Sequence, residues 1–251
     1  MELSSTINIT NSSWELCGAL RLFISKYINS NLYINLDSKH HFISNITKEL
    51  FIENKPNMYL GNPGNMIKNH INSLKYFNIN CPFNHKYIYD MSKPNYSVYT
   101  KDTNCLLTTM PYIFITSIVK DLISYIENRE NKHFLDFYLS YNNPKMWIEN
   151  RFINEPYLYS GYLIYTDKLK CYNLTPMIKT IESWDDDEWS RYNLSNDTLT
   201  NAINNNYKII SLHRKSINRI NYECKHNLLN FYKKVYNNKL YELISNNIIK
   251  L

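Results

Sequence analysis

Tyr96-Ser-Val-Tyr-Thr-Lys-Asp-Thr-Asn-Cys-Leu-Leu-Thr108 decides how this chain reads. The stretch alternates and then runs apolar, the pattern of a buried strand. Lys101, Asp102 and Asn104 interrupt it. An acid and an amide two residues apart lose hydration energy in such a strand unless a partner meets them. A metal-bound phosphate or a sugar hydroxyl suits both; the alternative is a capping or salt-bridged Asp102 with Lys101 turned to solvent.

Outward from that strand, Leu32-Tyr-Ile-Asn-Leu36 reads as a strand ending at Asp37-Ser38, and residues 39–53 as a helix. Met58-Tyr-Leu60 is a short strand and Gly61-Asn-Pro-Gly64 a turn. Residues 65–77 form a helix with Met66, Ile67, His70, Ile71, Leu74 and Phe77 near one face. Lys86–Asp90 is the next strand. The alternation predicts an α/β layer fold, a single Rossmann-like, mostly parallel sheet flanked by helices. Residues 14–24 open a helix or a strand–turn–helix. Beyond Thr108 the expectations are helices over 111–130, with Pro111 in the first turn, and over 131–141. A strand at Tyr157–Tyr165, a helix at Thr198–Asn205, a strand at Lys208–Leu212 and amphipathic helices within 219–249 follow. The domain expectation is an α/β domain over 1–215 and a helical C-terminal extension over 216–251.

With 251 residues, 44% apolar and 15% aromatic, the chain has material for a sizeable core, which argues against disorder. Asn, Ile, Tyr and Lys dominate and Gly occurs only four times, the bias of an AT-rich genome such as that of a large DNA virus or a low-GC bacterium. A net charge of +6 is mild for a nucleic-acid binder, although Lys208–Lys239 is basic and rich in Tyr. The five cysteines show no C-x-x-C pair and read as reduced core thiols of a cytoplasmic protein. Met1-Glu-Leu-Ser-Ser5 lacks the pattern of a signal peptide, and no apolar run is long enough for a transmembrane helix.

Two constellations carry the chemistry. Gly61-Asn-Pro-Gly-Asn65 joins a strand to a helix, so backbone N–H groups and the helix N-terminus favour an anion there. Gly64, Asn65 and Lys68 are the candidate diphosphate contacts, against a plain turn. Asp102 and Asn104 offer hard oxygen atoms for Mg²⁺ or Mn²⁺ as a relaxed D-x-D. Elsewhere, Glu149, Arg151 and Glu155 lie among Trp147, Phe152 and Tyr157, which suits a sugar pocket or the rim of an ordinary apolar cluster. Trp184-Asp-Asp-Asp-Glu-Trp189 is an acidic loop or a source of one or two ligands. His213-Arg214-Lys215 follows a strand and suits a diphosphate clamp or a basic loop. His40-His41 and His133 show no metal-ligand spacing.

The order of Leu32–Ser38, the Gly61–Tyr76 turn and helix, and Tyr99-Thr-Lys-Asp-Thr-Asn-Cys-Leu-Leu107 resembles GT-A-type glycosyltransferases, above all glycosyltransferase-like proteins of large DNA viruses and AT-rich bacteria. The resemblance covers about residues 30–165, with an echo at Tyr207–Arg214. It implies a nucleotide-sugar donor and a glycan or protein acceptor. Asp102 and Asn104 fall at the donor site and the metal, and Asp37 near the nucleotide; Glu155 becomes the acceptor-side base. A true D-x-D is missing, which leaves Mn²⁺ or Mg²⁺ dependence open. The competing readings are an RNA-binding or RNA-cleaving protein using the basic C-terminal third, with His70 or Glu223 as partners of His213, and a non-catalytic viral interaction protein.

Overall fold

The computed structural model describes residues 13–37, 39–44, 46–61, 67–79, 105–106, 111–142, 152–176, 178–183, 194–212 and 222–235. In chain order these residues form α1 (Ser13–Phe23), β1 (Leu32–Asn35), β2 (His40–Phe42), β3 (Asn57–Gly61), α2 (Ile67–Tyr76), β4 (Cys105–Leu106) and β5 (Tyr112–Ile115). Then come α3 (Thr116–Glu130), α4 (Phe134–Tyr141), α5 (Glu155–Tyr165), β6 (Asn173–Pro176), β7 (Thr180–Ser183), α6 (Asn196–Asn204), β8 (Ile209–Leu212) and α7 (Tyr222–Val235). The chain is a mixed α/β protein in two compact units. The first holds Met1–Asn35 and Ile52–Pro176, the second Leu36–Phe51 and Met177–Leu251. The expected boundary at 215 does not appear in this division; α7 packs on α6 inside the second unit.

Among the described residues the strands fall into three small ladders, β1-β5, β2-β8-β7 and β4-β3-β6. Three of the five pairings are antiparallel and two, β3 with β6 and β7 with β8, are parallel. These residues therefore do not make up one mostly parallel sheet. The reason is local: Tyr112-Ile-Phe-Ile115, expected to open a helix at Pro111, is β-branched and aromatic and pairs with β1 instead. The helix begins at Thr116, where the Thr116 hydroxyl donates to the Ser30 carbonyl at 2.7 Å. It ends at Asn131, whose φ of 50° is the left-handed stop that Asn tolerates.

The first unit's core is built by Leu22, Phe114, Val119, Leu122, Ile123, Phe134, Leu158 and Tyr159, all fully buried. Each such side chain contributes roughly 1.5–3 kcal/mol. Two buried tyrosines, Tyr159 of α5 and Tyr172 directly before β6, hold β5. Tyr172 donates to the Ile113 carbonyl at 3.0 Å, and the Ile115 N–H donates to both phenol oxygens. Tyr157–Tyr165, expected as a strand, is the body of α5. Pro156 sits in the first turn, where a missing N–H is harmless. The helix is buried almost all round, so no polar face gave it a 3.6-residue period.

In the second unit β8 is buried along its whole length and packs, through Ile210 and Leu212, with Leu199 and Ala202 of α6 and Leu228 and Phe231 of α7. The helix expected over 39–53 is instead β2 and a 3₁₀ turn at Lys48–Leu50. Pairing of His40-His41-Phe42 with Ser211-Ile210-Ile209 overrides the local preference. Cys224 is a core thiol as expected, whereas Cys17 lies exposed on α1.

Candidate functional site

β3 is the central strand of its ladder, and its carboxyl end, Gly61, pairs with Cys105 of β4. β6 runs parallel beside it from Asn57↔Asn173 to Leu60↔Pro176. On its other side β4 is antiparallel, with Leu60 opposite Leu106 and Gly61 opposite Cys105. In the sequence Asn62-Pro-Gly-Asn65 follows Gly61 directly and Asn104 directly precedes Cys105. Gly64, Asn65, Asp102 and Asn104 are outside the described residues.

The strand expected at Met58–Leu60 is β3 and the helix expected over 65–77 is α2 from Ile67, while the turn between them lies outside the described residues. α2 carries no acid in its first turn, so no carboxylate of its own offsets the N-terminal partial charge. Its opposite face is fixed. The Asn72 amide donates to the Phe152 carbonyl at 3.2 Å, and the His70 ring meets Tyr157 edge-on at 5.2 Å. Gly161 of α5 lets the helices approach: a Cβ there would lie 3.0 Å from the Phe77 ring and 3.3 Å from the Ser73 carbonyl. His70 is thus a core residue of this helix contact.

Glu155 occupies a different environment. It opens α5, is buried, and pairs with Arg21 of α1. Tyr138 lies beside it and donates to the Ile153 carbonyl at 3.3 Å. Burial, and then the charge of Glu155, push the Tyr138 hydroxyl far above its ordinary pKa, so it stays a donor. A carboxylate enclosed and matched by a guanidinium holds the fold. It is poorly placed to collect a proton from an acceptor in solvent, and the base assigned to Glu155 is corrected to this structural role. α1 reaches the pair through Gly18, where a Cβ would sit 2.8 Å from Glu155 Oε2 and 3.0 Å from the Tyr138 hydroxyl. Gly18→Ala gains about 1 kcal/mol of helix propensity but overpacks a pinned carboxylate. We expect a net loss of about 1–2 kcal/mol in urea unfolding. No local pattern marks this pair, because its partners are 134 residues apart.

In the second unit Asp37 lies after β1, 3.5 Å from Lys39 Nζ, and its carbonyl accepts from the His40 N–H at 2.9 Å. β7 and β8 end in register at Ser183↔Leu212. Trp184–Trp189 follows one strand and His213-Arg214-Lys215 the other; both runs lie outside the described residues, as do Glu149 and Arg151. Among the described residues no three His, Cys, Asp or Glu side chains are grouped to hold a metal ion, and no described helix is long and apolar enough to cross a membrane. No family model, no curated protein and no solved structure matches the chain.

Proposed function

We propose that the chain is a GT-A-type glycosyltransferase that moves a sugar from a nucleotide-diphosphate donor to an acceptor hydroxyl. The observation that supports this reading is the Gly61–Cys105 pair, because in the sequence the Gly-bearing turn follows the first residue and the acid–amide segment precedes the second. Ligands of α/β proteins lie outside the carboxyl ends of parallel strands, and β3 is parallel to β6. Backbone N–H groups around Gly64 and Asn65, with the α2 N-terminus, stabilise the diphosphate as it leaves. Asp102 and Asn104 orient the donor sugar or its metal-bound phosphate. A viral source and a cytoplasmic location are part of this proposal.

A thermal-shift screen of nucleotide sugars, with and without Mn²⁺, tests it. A donor that binds the native state must raise the melting temperature, by about 2.7 kcal/mol of stabilisation at 100 times its Kd. A flat response to every nucleoside diphosphate-sugar contradicts the reading. One observation favours an RNA partner instead: Tyr222, 84% exposed, stacks on His226 at 6.2 Å on α7, which also carries Lys225, Lys233 and Lys234. That platform suits an unstacked base, and RNA affinity falling steeply with salt would support it.

A further inference from the structure

We propose that β2 is a proton-operated latch, two neutral histidines on a three-residue edge strand holding the Leu36–Phe51 segment in the second unit and releasing it when they become charged. β2 lies at the edge of the β2-β8-β7 ladder, and it is the only described strand that this segment contributes. Its attachment is short. The Ile43 N–H donates to the Lys208 carbonyl and the Leu212 N–H to the Lys39 carbonyl, each at 2.9 Å, on either side of the three paired residues.

Both rings suit the neutral form. His40 Nδ1 is buried and has no hydrogen-bond partner among the described residues, so a proton added there becomes a buried N–H that none of them accepts. His41 Nδ1 lies 3.3 Å from the Tyr232 hydroxyl, and the rings stack at 5.7 Å. In the tautomer with its proton on Nε2, Nδ1 accepts from Tyr232, and protonation of the ring reverses that bond. The facing residues of β8 are Ser211, Ile210 and Ile209, which supply no charge. From α7 comes Tyr232, and from the segment itself Lys39 and Asp37, which pair with each other. Two adjacent imidazolium ions beside Lys39 would therefore meet one carboxylate already engaged.

Burial, reinforced by Lys39, lowers His40 to about 4 against the opposing effect of Asp37, and burial lowers His41 as well. Folded-state values below the ordinary 6.5 mean that the released strand takes up the protons. The latch is at full strength above pH 6.5 and weakens as pH falls from 6.5 toward about 4.

Amide hydrogen exchange on the full chain between pH 7.5 and 4 tests this, read as protection factors to remove the intrinsic pH dependence. Each histidine contributes up to about a tenfold loss per pH unit in that window. We expect protection at Ile43 and Leu212 to fall at least about tenfold between roughly pH 6.5 and 4.5, while Leu122 and Ile123 of α3 keep theirs. The His40→Gln/His41→Gln variant should lose this dependence. Should that variant fail to fold, NMR titration of the wild-type imidazoles decides instead: the latch requires both midpoints below 6.5, coincident with the loss of protection. Unchanged protection at Ile43 and Leu212, loss in step with α3, the same dependence in the double variant, or ordinary imidazole midpoints would each overturn it.

Discussion

Arg21→Met should lower unfolding stability by about 3–5 kcal/mol, the effect of leaving a buried carboxylate without its cation. The Glu155 side chain is 4% exposed and that of Arg21 20%. The asymmetry makes the two partners unequal. An orphaned Arg21 has a route to water, whereas an orphaned Glu155 does not, so Glu155→Gln should be the milder change. The α5 N-terminus offsets little of the loss, since a helix end contributes only about 0.3–1 kcal/mol. Replacing both residues by apolar ones of similar size should restore much of the stability, because a buried pair exchanged for packed side chains is often near neutral. A double-mutant cycle in urea reads all three. Additive single effects would mean that Arg21 and Glu155 do not act as a pair.

Asp102→Ala should reduce sugar transfer at least about a hundredfold, the usual scale for removing one oriented polar group from a charge-developing site. The melting temperature without donor should stay where it is, because the proposal gives Asp102 a partner only in the ligand. Asn104→Ala should weaken donor binding more than the chemical step, since an amide orients rather than neutralises. Wild-type turnover in the Asp102 variant removes the site assignment. A variant that melts early would instead make Asp102 a structural residue.

The elements that set the candidate site were legible because their signals are local. Asn57–Gly61 is a short apolar strand, Gly61–Asn65 carries the turn chemistry, and α2 shows a one-sided apolar face. β7, α6 and β8 carry equally local signals, although only the last two were read as elements. What escaped the sequence depended on distant partners. α5 is buried on nearly every side, so its Tyr-rich run offered no period to separate helix from strand. β5 and β2 exist because β1 and β8 pair with them, and no window of local sequence contains that information. The identity of Glu155 was visible as an acid among aromatics, but its role was not. The guanidinium that claims it comes from α1, and Gly18, which makes room for both, reads in sequence only as a weak helix residue. Likewise His40-His41 shows no ligand spacing, and only the pairing with β8 and the approach of Tyr232 give the two rings a shared property.

Photo-crosslinking with a light-activated nucleoside diphosphate-sugar, followed by peptide mapping, tests the donor site most directly. The label should saturate, be competed by the unmodified nucleotide, and fall on peptides spanning residues 57–68 or 99–106. Saturable labelling confined to any other part of the chain, or no saturable labelling at all, would contradict it.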